Sequence, residues 1–185
     1  MPSPEPPANL SRLSLADIAR MAADRKVPPV ASWNPAHCGH SEMRIAADGT
    51  WFHQDAPIAR PAMVRLFASI LRREADGRHV LVTPAEKLDI DVEDAPFVAA
   101  EVKSEGRRDR RRLAFRLNTG EVLVAGPEHA LAVKDRGRGP HPYLGVRAGL
   151  EALISRPVFY ELAEWALEED AEPPGLWSDG VFFPL

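Results

Sequence analysis

The chain has 185 residues, 45% hydrophobic and 27% charged, with 18 prolines, 12 glycines, one cysteine and a formal charge of −4. Proline at about twice its usual ~5% frequency excludes a long-helix bundle or coiled coil, because an interior proline breaks a helix at a cost of ~3 kcal/mol. The lone Cys38 excludes an intramolecular disulfide, no run approaches the ~18 apolar residues of a membrane span, and the mild acidity gives no global pull toward nucleic acid or anionic lipid.

Residues 1–32 are expected to form a proline-rich tail and one short helix. Ser14 and Asp17 make a capping-box-like start, and Leu15, Ile18, Ala19 and Ala22 follow at helical spacing. Because residues 1–7 carry four prolines and no basic or apolar signal region, a soluble cytoplasmic protein is expected. Residues 33–95 read as an N-terminal α+β domain. Asp48-Gly49 between β-prone segments marks a hairpin, since glycine takes the positive-φ turn position cheaply. Pro61 suits a helix start, and Val64, Phe67, Ile70 and Leu71 predict an amphipathic helix running to just before Asp76-Gly77. Residues 79–83 read as a buried strand, and the strict alternation of 88–92 as a strand with one wet face.

Residues 96–185 read as a C-terminal domain. Strands are expected over 97–103, 113–117 and 122–125, with short ones at 131–133 and 143–146 around a Gly/Arg/Pro loop at 134–142. Five sequential strands of this length suggest a meander curled into a small barrel or strongly bent sheet. Helices are predicted at 147–154 and 157–169, and the apolar tail 176–185 should pack back as a strand. Asp48-Gly49-Thr50-Trp51-Phe52 is echoed by Asp179-Gly180-Val181-Phe182-Phe183, either as two similar hairpins or as a duplicated unit.

The string Cys38-Gly39, Met43-Arg44-Ile45, Asp48-Gly49-Thr50-Trp51-Phe52, Pro57-Ile58 and Arg60 resembles a bacterial family, domain-of-unknown-function family 1285. Thr83-Pro84, Glu86-Lys87, the run from Val92 to Phe97, and Pro142-Tyr143 with Val146-Arg147 and the run from Gly149 to Leu153 extend the resemblance over residues 33–170. It implies an α+β fold of two small domains: an N-terminal hairpin-helix-strand unit and a C-terminal β-roll, superficially pleckstrin-homology-like and closed by helices. It also implies a ligand site at the domain interface for a nucleotide-like molecule in signalling, with no catalytic residue to carry over.

His37-Cys38-Gly39-His40, with His53, holds zinc-type donors, but the spacing matches no standard knuckle and a second pair is missing. The expectation is a loop with incidental histidines and a buried thiol: no metal and no cofactor. Arginines 107, 108, 110, 111 and 112, with Lys103 and Arg116 nearby, read as a solvated hairpin tip, or else as a patch for an anionic partner. No aromatic residues interleave with them, which disfavours nucleic acid. The last 25 residues hold seven acids and no base, a polarity that could dock intramolecularly or on another copy. Gly137-Arg138-Gly139-Pro140 resembles a phosphate loop only superficially, lacking the Gly-Lys-Ser/Thr ending.

Polar groups beside apolar ones at element ends are the stronger signal: Trp51 and His53, Arg60, Lys87, Tyr143 and Arg147. An arginine at a helix N-terminus opposes the macrodipole at a cost of ~0.3–1 kcal/mol. For Arg60 and Arg147 an ion pair with Asp48, Glu86 or Asp94 is expected first, and a ligand anion second. The function expected is therefore binding of a small anionic, nucleotide-like ligand in a cleft between two domains. Trp51 and Tyr143 would stack, Arg60, Lys87 and Arg147 would supply charge, and His53 would stand beside them. No enzyme chemistry or membrane is required, and a homo-oligomer is compatible with the reading. The alternatives are a cysteine-dependent enzyme using Cys38 with His37 or His40, and a protein–protein interaction module.

Overall fold

The computed structural model describes residues 27–185, with Ser14 and Ala16 before them; the expected proline-rich tail and first helix fall outside the described residues. The architecture is α+β, mostly β, with two α-helices of a turn or more among residues 27–185, and two compact units. One unit comprises Lys26–Phe97 with Ala148–Leu150; the described part of the other comprises Val98–Arg147 and Glu151–Leu185. No helix among the described residues is long and apolar enough to cross a membrane.

The first unit is a six-stranded sheet. Its strands are β1 (His37–Ile45), β2 (Trp51–His53), β3 (Ala56–Pro57), β4 (Leu71–Arg73), β5 (His79–Val82) and β6 (Lys87–Val92), in spatial order β3-β2-β1-β6-β5-β4. The Asp48-Gly49 turn joins β1 to β2 as expected; Thr50 donates its backbone N–H to Asp48 Oδ1 at 2.9 Å, and Gly49 sits at φ 88°. Helix α1 (Pro61–Ser69) begins at Pro61, where the missing N–H costs nothing. It is shorter than its apolar spacing predicts, because Ile70 caps it and Leu71–Arg73 leaves as β4 to pair with β5. The Ile70 carbonyl accepts from Val82 N, so the same apolar residues serve a strand edge instead of another helical turn. Residues 37–40, expected as loop, form the first part of β1, which runs parallel to β6 with two register shifts.

The second unit is built on β7 (Phe97–Glu105), β8 (Arg112–Leu117), β9 (Val122–Val124), β10 (Leu131–Asp135), β11 (Pro140–Arg147) and β12 (Leu150–Ile154), in order β10-β11-β12-β7-β8-β9. Segment 147–154 is a strand and not the helix expected. Its apolar residues fit both periods, but Leu150, Ala152 and Ile154 are buried in strict alternation, and Ala148 and Gly149 take the positive φ of a tight turn. Helix α2 (Arg156–Glu169) follows, burying Val158, Leu162 and Ala166. The tail folds back as a hairpin of β13 (Gly175–Ser178) and β14 (Val181–Pro184) around Asp179-Gly180. In a flat sheet β11 would lie three strand spacings from β8, roughly 14 Å. Arg147 on β11 nonetheless bonds Glu121 in the β8–β9 turn at 3.1 Å, which requires the sheet to curl into a half-barrel.

Candidate functional site

In the first unit, Trp51, His53 and Arg60 gather at one corner. Trp51 and His53 share a face of β2, and the Trp51 carbonyl accepts from Ile58 N just before the Arg60 N-cap. Trp51 is 1% exposed and its ring stacks on Phe67 of α1 at 6.4 Å, so the indole belongs to the core and offers no free face. His53 and Arg60 are exposed, and Arg60 has no ion pair among the described residues, contrary to the pairing expected for it. Lys87 is not part of this corner. Trp51 pairs with Ile45, which neighbours Val92 at the far end of β6, some five residues or ~17 Å from Lys87. The ammonium of Lys87 instead lies 3.8 Å from Glu74.

The histidines of the Cys38 segment are built into the sheet. His37 Nε2 lies 3.0 Å from Asp89, His40 Nε2 3.4 Å from Asp91, and Arg44 Nη1 2.6 Å from Glu93, three rungs between β1 and the β6 side. His40 Nδ1 accepts from Glu42 N at 2.8 Å, so its proton sits on Nε2 toward Asp91. With each imidazole engaged by a carboxylate, no metal-ligating group of three forms among the described residues. Cys38 is exposed, not buried as expected. Its thiol donates to the Ala36 carbonyl at 3.2 Å, and no imidazole bonds it among the described residues.

In the second unit, Tyr143 and Arg147 lie on one face of β11. Tyr143 is 2% exposed, and the Arg136 guanidinium sits 4.0 Å over its ring. Arg136 and Lys134 both bond Glu151. Burial pushes the Glu151 carboxyl up, but the hydrogen bonds and charges of Lys134 and Arg136 outweigh it and hold it below its ordinary 4.5. Arg147 is not at a helix start; its Nη1 lies 3.1 Å from Glu121 Oε2. Within the arginine run, Arg107, Arg108 and Arg110 are exposed as a solvated tip would be, whereas Arg111 is buried against Glu169 and Arg112 lies 3.3 Å from Asp179. The acidic tail thus docks intramolecularly on this run.

One residue of this unit, grouped in the sequence only with the charges near the arginine run, stands out. Arg116 lies in mid-β8, its side chain only 12% exposed, directly opposite Val122 of β9 and Glu101 of β7. Its Nε and Nη2 are fully buried and have no hydrogen-bond partner among the described residues; Glu101 Oε2 comes only to 3.5 Å of Nε. These two N–H groups form one edge of the guanidinium, the side-on fork that holds two anion oxygens. By register, the Glu121–Arg147 pair stands one residue from Val122, so Arg147 and Arg116 belong to the same neighbourhood. The signal available in the sequence was a charge set between Phe115 and Leu117, inside the apolar run that follows Arg112.

The family model described as "Domain of unknown function (DUF1285), N-terminal domain" matches residues 28–95, and that described as "Protein of unknown function (DUF1285), C-terminal domain" matches 96–185. A DUF1285 family protein from Silicibacter pomeroyi DSS-3, known from its crystal structure, is 48% identical, with a TM-score of 0.79 covering 93% of this chain and 94% of that one. A second, from Shewanella baltica OS155, is 24% identical, with a TM-score of 0.52 covering 70% of this chain and 93% of that one, a likeness of fold. No curated protein matches the chain.

Proposed function

The chain belongs to the DUF1285 family, and from that starting point we propose that it binds a small anionic, nucleotide-like ligand in a regulatory rather than catalytic role. The reading is carried by the Nε/Nη2 edge of Arg116. Two buried donors without a protein acceptor cost of order 1–3 kcal/mol each, a penalty that a bound phosphate or carboxylate relieves with charge-assisted hydrogen bonds. Arg147 adds a second cation, oriented by Glu121. Trp51 and Tyr143, 1% and 2% exposed with their rings covered by Phe67 and Arg136, belong to the cores of their own units, so the reading rests on charge and not on stacking.

Thermal unfolding with mono- and dinucleotides at millimolar concentration tests the proposal. A ligand at about tenfold over its Kd stabilises by about 1.4 kcal/mol, about 3–6 °C for a chain of this size. The shift is expected to vanish in Arg116→Gln. Absence of any shift across the panel would refute the proposal.

A further inference from the structure

Resting on that reading of Arg116, we infer that Glu101 is an internal stand-in for the ligand's anion, displaced when two oxygens of a phosphate or carboxylate take the Nε/Nη2 edge. The register of β7 shifts between Ala99 and Glu101, which sets Glu101 directly across from Arg116. Register shifts of this kind re-aim side chains. The pair that results is unequal. Arg116 is 12% exposed and fixed in mid-strand, while the Glu101 side chain is 43% exposed.

Their separation of 3.5 Å makes an ion pair but no hydrogen bond, so the carboxylate neutralises the guanidinium without satisfying its donors. A carboxylate so placed, 43% exposed, keeps part of its hydration and recovers the rest on swinging into water. Lys103, next on the same face of β7, lies 3.3 Å from Glu105, so the neighbouring lysine already has an acid of its own. A ligand anion that reaches normal hydrogen-bond distance therefore gains two charge-assisted bonds in exchange for one loose contact.

The experiment compares wild type, Glu101→Gln and Glu101→Asp by calorimetric titration with inorganic phosphate and, separately, with acetate. The Arg116 Nε–H resonance is followed alongside. Losing this loose, half-exposed carboxylate contact should tighten phosphate or acetate binding about two- to fivefold in both variants. Aspartate keeps the charge but is one methylene too short to reach, so it separates displacement from simple repulsion. The Arg116 resonance should shift on titration in all three proteins, and whichever anion binds more tightly identifies the ligand's chemistry. Wild-type affinity in Glu101→Asp, with tightening confined to Glu101→Gln, overturns displacement while leaving anion binding at Arg116 intact. If neither anion binds any of the three proteins and the resonance stays still, the proposed ligand site itself fails.

Discussion

The six positions from Arg107 to Arg112 hold five arginines, and their fates differ. Arg111 donates from Nε and Nη2 to one oxygen of Glu169, at 2.9 and 2.7 Å, and from Nη1 to Ser104 Oγ at 2.5 Å. The same Glu169 oxygen accepts from the Arg108 backbone N–H at 2.8 Å. Glu169 closes α2, where a negative charge is disfavoured by the helix dipole, and Arg111 offsets that cost. The turn before the pair needs Gly106, whose φ is 78° and where an added Cβ would come within 2.4 Å of the Arg110 carbonyl oxygen. With both side chains 6–7% exposed, Glu169→Ala would leave a buried guanidinium uncompensated and should cost about 3–5 kcal/mol. Arg107→Ala, at the exposed tip, should stay within about 0.5 kcal/mol of wild type. Urea denaturation separates the two, and equal midpoints would contradict this account of Arg111.

At the scale of elements, the β13–β14 hairpin is held to the second sheet by the Arg112–Asp179 ion pair and the Asp179 N–H to Arg111 carbonyl bond at its turn, and by one buried hydroxyl. Ser178 Oγ accepts from Leu113 N of β8 at 2.9 Å and donates to the Ala125 carbonyl, just after β9, at 2.7 Å. Ser178→Ala therefore strands a buried donor and a buried acceptor, and should lower stability by about 1–3 kcal/mol in the same denaturation measurement. Faster amide exchange at Leu113 should accompany the loss, because Ser178 is the acceptor that protects it. Elements set by local chemistry were readable in advance: the Asp48-Gly49 hairpin, the Pro61 helix start, and the alternation of Leu88, Ile90 and Val92. Elements decided by distant partners were not. Leu71–Arg73 becomes a strand because β5 stands beside it, and Leu150, Leu153 and Ile154 satisfy helical spacing as well as they do a strand. The candidate site followed the same division. Arg147 is recognisable as a charge at an element end, whereas Arg116 acquires meaning only from its register opposite Glu101.

Across the whole molecule, each compact unit holds a carboxylate below its ordinary value, besides the exposed Asp76 that Arg78 also lowers, and each contributes to how the protein meets acid. In the first, the backbone N–H and side chain of Thr50 hold Asp48 below 3.8; in the second, Lys134 and Arg136 hold Glu151 below 4.5 against its burial. A carboxyl depressed on folding contributes stability that is complete above its unfolded value and is lost as pH falls through its folded one. Both contributions are therefore intact at neutral pH and disappear below roughly pH 4.5. Acid also raises the positive charge on a chain that is −4 at neutrality, and it removes the Glu151 charge that Arg136, 4.0 Å over Tyr143, faces. Urea midpoints should hold from pH 7 to 5 as far as these two groups are concerned, then fall as the pH drops below about 4.5. Glu151→Gln should begin lower at pH 7 and show a shallower acid fall, because the charge that acid would remove is already gone. An unchanged acid slope in that variant would mean that the Lys134–Glu151–Arg136 cluster is not what acid dismantles in the second unit.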